Sequence, residues 1–223
     1  WLNMAKKFVT LYLDDSCLRV LVIRGQRVKK WAELPLEPGL VKGNTVINLP
    51  EVALKVKQLF KSQKVRAKKV IVGLSGLHCL TRPAVLPRLP REMLAEAVLR
   101  EAKRVLPMPP EQLYLSWQTI PAPEQEMRLF MVAIPRRIAD ALLAMLREAG
   151  LKPRLIDLKP LALARVVRET TAVIVDVQPT EFDIVILADR IPQPIRTIPF
   201  PSQELSRKER LLMIQSELAR TME

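Results

Sequence analysis

Two stretches of this chain share one grammar. Residues 8–13 (FVTLYL) alternate apolar and polar side chains, meet the turn residues Asp14, Asp15 and Ser16, continue as CLRVLVI, turn again at Arg24-Gly25-Gln26 and return as RVKKWAELPL. Far along the chain, TAVIVDV, a QPTE turn, FDIVILA, an Asp189-Arg190 turn and IPQPIRTIPF repeat that order. Apolar runs of this length punctuated by turn residues predict antiparallel meanders of three strands. The repetition is one of type rather than of sequence. A chain built this way is expected to fold as two related α/β halves, with the intervening residues as their completion or as an insertion.

The intervening residues divide in the same manner. Asn48 and Pro50 open a helix whose apolar positions Val52, Val56, Leu59 and Phe60 fall on one face, and KVIVGLSG follows as a buried strand. The strand LHCLTRPAVL, the helix MLAEAVLREAKRVL, the strand pair LYLSWQTI and MRLFMVAI, and a helix from Arg136 stopped at Gly150 form a small α+β module over 77–151. PRLIDLKPLALARVV predicts a strand and a short helix. The expected divisions are 1–76, the first half; 77–151, the insertion; and 152–223, the end of the first half and the start of the second. The final helical pattern lacks a stop residue, so the natural chain is expected to continue past Glu223. Met4 is expected to be the natural start, with Trp1 to Asn3 a cloning remnant.

Composition narrows the function. Apolar residues make up 49% of the 223 and charged residues 26%, as in a globular protein with a real core. No apolar run reaches a bilayer-spanning length of about 18 residues, and the start has no apolar signal core. A cytoplasmic protein is therefore expected. Cys17 and Cys79 are too few for a disulfide framework or a zinc site. Lys and Arg outnumber Asp and Glu by 36 to 23, and the densest basic run, Lys55 to Lys69, has no acid. Aromatics, at 4%, do not interleave with these charges, so no stacking platform for single strands is expected. Nucleic acid is not the expected partner; a weak contact with an anionic inner leaflet is retained.

Candidate chemistry is sparse. Six glycines form neither G-x-G-x-x-G nor a P-loop string. Asp14, Asp15, Asp176 and Asp183 could pair around a divalent cation, but turn capping by Asp is the preferred reading. His78, the one histidine, and Cys79 are read as structural, and Ser75 lacks the G-x-S-x-G of a nucleophile elbow. Met93, Met127, Met131 and Met145 are expected to fill cores, and Trp31 and Trp117 to be half-buried.

The ordered fragments VIVGLSGLHCLTRPAVLPRLP, MLAEAVLREAKRVLPMPPEQLYLSWQTI, MRLFMVAIPRRIADALLAMLREAGLKPRLIDLKPLALARV and AVIVDVQPTEFDIVIL resemble the actin-like ATPase superfamily. Within it the chain is most similar to the PilM family of type IV pilus assembly proteins and its division relative FtsA, over residues 8 to about 197. The resemblance implies an actin-like (ribonuclease H-like) α/β fold of mixed sheets carrying a small inserted α+β module. It also implies a cytoplasmic protein, peripheral to the inner face of the membrane, that binds the tail of PilN, a single-span inner-membrane protein. Through that partner it would serve the pilus or secretion ATPase complex indirectly.

The family's phosphate loops are altered here. Where the first loop carries D-I-G-x-x-x-I-K, this chain has Tyr12, Leu13, Asp14, Asp15, Ser16, Cys17, Leu18 and Arg19. Tyr12 replaces the metal-side aspartate, Asp14 replaces the glycine, and Asp14 and Asp15 would repel a triphosphate. The second loop, D-I-G-x-x-x-T-D, reads Asp176, Val177, Gln178, Pro179, Thr180, Glu181, Phe182 and Asp183, so Gln178 obstructs close approach and Pro179 lacks an N–H. The expectation is a non-catalytic scaffold with no cofactor, no metal and no catalytic residue. Arg82, Arg100 and Arg104 of the insertion are the candidate anchors for an acidic or carbonyl-rich partner peptide. Two alternatives remain: the cytoplasmic domain of a GspL-like type II secretion platform protein, which a later apolar span would favour, and an ATP-binding actin-like filament protein.

Overall fold

The computed structural model describes residues 6–124 and 126–222, so the expected start at Met4 lies outside the described residues. The first meander forms as its pattern predicts. β1 (Lys7–Leu13) pairs antiparallel with β2 (Cys17–Arg24), and β2 with β3 (Arg27–Pro35). A small hairpin the sequence reading missed follows, β4 (Val41–Lys42) and β5 (Thr45–Val46). Its two-residue strands are too short to show a period. Asn48 then caps α1 (Leu49–Ser62), its side chain accepting from the Glu51 N–H at 3.3 Å, which contributes about 1 kcal/mol. β6 (Lys69–Leu74) returns parallel to β1.

The chain next leaves this sheet. β7 (Leu80–Pro87), α2 (Arg91–Val105), β8 (Leu113–Ile120) and β9 (Glu126–Pro135) make a separate three-stranded sheet, ordered β7-β9-β8. Val98 and Ala102 of α2 pack on Leu129, Met131 and Ala133 of β9. Phe130, Val132 and Ile134, at the alternate positions of β9, belong to the opposite face. After α3 (Arg136–Glu148), β10 (Lys152–Leu158) pairs parallel with β6 and completes a sheet ordered β10-β6-β1-β2-β3.

α3, which falls within 77–151, packs on the large sheet. Leu142, Met145 and Leu146 of α3 lie in the first core with Val52, Val56 and Leu59 of α1, whereas the core of the small sheet runs only from Ala84 to Ala133. The strong amphipathic stripe of α3 serves the large sheet, and sequence adjacency to the insertion gave no sign of it.

α4 (Lys159–Val166) leads to the second meander, β11 (Ala172–Val177), β12 (Glu181–Ala188) and β13 (Ile191–Pro199), antiparallel throughout. α5 (Arg207–Met222) covers it through Met213, Ile214 and Leu218, against Phe182 and Phe200, whose rings are 5.1 Å apart. Two expected burials fail: Trp31, on edge strand β3, is 73% exposed, and Met93 is exposed. An edge strand and the outer side of a surface helix have no second layer to bury them.

Candidate functional site

The large sheet and the second meander meet at a buried polar cluster. β10 ends at Leu158, and Lys159 and Pro160 begin α4, so the Lys159 side chain projects from the first helical turn into the junction. Its Nζ lies 2.8 Å from Asp183 Oδ2, 3.1 Å from Asp176 Oδ2 and 3.2 Å from Glu181 Oε1. Asp183 and Glu181 are buried on β12, and Asp176 sits across from Asp183 on β11.

Residues next to the large sheet, in the small hairpin and on the second meander supply the remaining donors. Ser75 Oγ, just past β6, and Asn44 Nδ2, in the β4–β5 turn, each donate to Glu181 Oε2 at 2.9 Å. Thr197 Oγ1 on β13 donates to Asp183 Oδ1. Gly76 permits the approach: a Cβ there would lie 2.3 Å from Thr197 Oγ1 and 3.0 Å from Pro160 Cγ.

Burial by itself would lower the Lys159 pKa. The Tyr12 phenol, once ionised, and the Asp183 and Glu181 carboxylates outweigh it, and the ammonium is held charged above the ordinary lysine value. Tyr12, packed beside Gly73 with Lys159 Nζ 5.9 Å from its ring centroid, has its phenol pKa raised, chiefly by burial. The cluster therefore holds one cation among three carboxylates where two turns of the related halves converge.

Both carboxylates of the first loop are engaged by groups of the first half. Asp14 Oδ1 accepts from the Ser16 N–H at 2.8 Å, Ser16 Oγ at 2.7 Å and the Cys17 N–H at 3.0 Å, while its Oδ2 pairs with Arg19 at 2.9 Å. Burial raises its pKa, but the hydrogen bonds from Ser16 and the Arg19 charge prevail and hold it below the usual carboxylate value. Asp15 accepts from the N–H groups of Gly43 and Asn44 at 2.7 and 2.6 Å. In the second loop, Gln178 Nε2 donates to Asp176 at 3.0 Å, the Gln178 N–H closes on Glu181 O at 2.8 Å, Pro179 O accepts from Arg210 at 3.0 Å, and Thr180 O accepts from the Phe200 N–H at 2.8 Å. The loop residues thus cap their own turns or tie them to the β4–β5 turn, the end of β13 and α5.

The three arginines are not brought together. Arg82 lines a hollow between β7 and β13 that also includes Phe130 and Pro194. Arg100 pairs with Glu96 and Arg104 with Glu101 on the exposed face of α2, and α2 lies on the far side of the small sheet from Phe130 and Val132. Burial, with Asp14 beside Cys17 and Glu181 near Cys79, pushes both thiols up to about 12, which leaves neither an activated nucleophile.

A family model described as type IV pilus assembly protein PilM matches residues 22–189, well over half of the chain. The chain belongs to that family. Among solved structures it is similar to PilM in the PilM-PilN type IV pilus biogenesis complex, at 27% identity and a TM-score of 0.76 over 87% of this chain. It spans 62% of that relative's length. Two likenesses show the actin-like fold alone. One is the cytoplasmic domain of EpsL, an inner-membrane component of the type II secretion system of Vibrio cholerae, at 12% identity and TM-score 0.58, covering 87% of this chain and 71% of that one. The other is the ethanolamine utilization protein EutJ from Carboxydothermus hydrogenoformans, at 13% and 0.54, covering 95% and 57%. A sequence search of curated proteins finds no match.

Within this PilM-family frame, sequence reading missed the residues that dominate the junction: Lys159, Glu181, Asn44 and Ser75 in its donor role. One signal was available. Glu181 opens a strand whose next residues are almost all apolar, and a carboxylate at such a place needs a buried donor.

Proposed function

We propose that this PilM-family chain is a non-catalytic scaffold of the type IV pilus assembly platform that binds the cytoplasmic tail of a PilN-like single-span membrane protein. The observation that carries the reading is the Lys159 ammonium among Asp176, Glu181 and Asp183. A nucleotide's phosphates need cations and backbone N–H groups facing an open cleft. Here the cation is already neutralised by three carboxylates, and the N–H groups of Ser16, Cys17 and Gln178 are spent within their own turns. A triphosphate entering this junction would meet net negative charge.

The tail site fits the seam between the small sheet and α4 with β13. A hollow of about 460 Å³ opens there, with Trp117, Phe130, Val132 and Leu161 as apolar walls and Arg165 and Arg190 at its polar side. A second hollow of about 370 Å³, lined by Leu115, Ile134, Leu143 and Ile156, adjoins it through the shared Ser116, Val132 and Leu161. An extended peptide could place alternate side chains in the two while its main chain hydrogen-bonds along the seam.

The test is fluorescence anisotropy with a labelled tail peptide from the single-span membrane protein of the neighbouring genes. Val132→Arg, which puts a charge into both hollows, is expected to weaken binding at least about tenfold, as is Arg82→Glu at the edge of the seam. Binding unchanged by Val132→Arg would move the site elsewhere, and no binding of any such tail would remove the scaffold reading.

A further inference from the structure

Three strands of the large sheet, β1, β6 and β10, run the same way, and their starting ends lie at the pole opposite Lys159. Lys7 is paired with Arg24, Arg24 with Arg27, and Lys152 with Lys69, so the register itself stacks basic residues across this end. The α1–β6 loop adds Lys64, Arg66 and Lys68, held there by the Lys7 Nζ contact to Arg66 O at 3.4 Å and by the Lys152 N–H donating to Lys68 O at 2.7 Å. Lys6 precedes β1 and completes the group. All of these side chains are exposed, and none has an acidic partner within 4.0 Å among the described residues. The nearest acid in sequence, Glu148, lies by Lys57 at 3.9 Å. Elsewhere on the molecule basic residues such as Arg19, Lys55, Arg100 and Arg104 are paired. Nine basic residues without an acidic partner among the described residues, Lys6, Lys7, Arg24, Arg27, Lys64, Arg66, Lys68, Lys69 and Lys152, are thus gathered at one pole.

Under this rim, between the ends of α1 and α3, opens a hollow of about 500 Å³. Its floor is Val56, Phe60, Val65 and Leu151, and Lys57, Arg66 and Lys68 stand at its edge. An apolar floor inside a cationic rim matches an amphiphile with an anionic head better than it matches a nucleic acid backbone. Of the aromatic rings at this end, Phe60 is buried in the floor, and Phe8 has the cations of Lys6 and Arg154 at 5.7 and 5.5 Å from its centroid, so neither offers an open face for a base to stack on.

We propose that this basic pole is a docking surface for an anionic phospholipid bilayer. Lys and Arg stems lay their cations on the lipid phosphates, and the hollow accepts apolar groups at the headgroup boundary. The orientation follows from the fold. β1 spans about 20 Å from Lys7 to Leu13 at the rise of an extended strand, so the Lys159 junction faces away from the membrane. The proposal does not depend on tail binding at the seam.

Vesicle flotation tests it. The probes are neutral phosphatidylcholine vesicles and vesicles of phosphatidylcholine mixed with phosphatidylglycerol, at low and high salt. Wild type is expected to float with the anionic vesicles only, and less at high salt. Arg66→Glu/Lys68→Glu/Lys69→Glu should lose that binding by about tenfold or more, and Arg66→Gln/Lys68→Gln/Lys69→Gln should lose part of it. Arg100→Glu/Lys103→Glu/Arg104→Glu, an equal charge change on α2, should keep it. Thermal melting confirms that each variant is folded; should the Glu variant fail to fold, the Gln variant decides. Equal loss in the α2 variant would overturn the proposal in favour of a bulk charge effect. So would retention in the pole variants, equal flotation with neutral vesicles, or tighter binding of duplex DNA through the same residues.

Discussion

Lys159 Nζ sits 2.8 Å from Asp183 Oδ2, and that contact ties the start of α4, at the end of the large sheet, to the middle strand of the second meander. Asp183 is fully buried and Lys159 nearly so, with side-chain exposures of 0% and 12%. Glu181 and Asp176 complete the ring around the same ammonium, and Ser75, Asn44 and Thr197 fasten it to both halves.

Removing one partner of a buried ionic network leaves the others uncompensated, at about 3–5 kcal/mol. Lys159→Met should therefore lower unfolding free energy by roughly that amount, measured by urea denaturation. The deficit should also depend on pH. Burial already raises the Glu181 pKa against the opposing Lys159 charge; without the ammonium it rises further, so the folded variant binds more protons than the unfolded chain and its stability rises as pH falls. A larger deficit at pH 8 than at pH 5 is expected, on the order of 1 kcal/mol or more. A loss independent of pH would mean that only packing had been removed.

Asp14 has the opposite sign. Its folded pKa lies below its unfolded value, so its stabilising effect is complete above the ordinary aspartate range and fades as pH drops through the folded value. Asp14→Asn should be less stable than wild type at neutral pH, by about 1–3 kcal/mol. The two stabilities should converge as pH falls through the folded Asp14 value. Stabilities that stay a fixed distance apart throughout the acid range would contradict the assignment.

Much of this fold was legible. The alternation of β1, β2, β11 and β12, the Asn48 cap and the Gly150 stop each act within a few residues, and local signals of this kind can be read from sequence. The altered positions at Tyr12, Asp14, Gln178 and Pro179 were legible through the family resemblance. The junction itself was not. Lys159 and Asp183 are far apart in sequence, and a lysine at the start of an amphipathic helix ordinarily faces water. Its burial is decided by how the two halves close, as is the docking of α3 on α1. Exposure of Trp31 had the same origin, since nothing local reveals that β3 is an edge.

Gly76 tests how tightly the halves close. Gly76→Ala would force its new methyl into Thr197 Oγ1 and Pro160, so the halves must shift or strain. A loss of about 1–3 kcal/mol is expected by thermal or urea unfolding. Gly39→Ala is the comparison, since nothing lies within 4 Å of its Cβ and only its φ of +90° opposes the change. If Thr197→Ala, which also gives up its bond to Asp183, restores none of the loss in Gly76→Ala, the contact is not the cause.

The most direct measurement is isothermal titration of ATP with magnesium into the wild-type protein. The internal cation of Lys159 and the self-capped turns predict no heat beyond dilution. A dissociation constant on the order of micromolar, about −8 kcal/mol of binding free energy, abolished by reversing the charge of Lys159, would show a working nucleotide site and contradict the account.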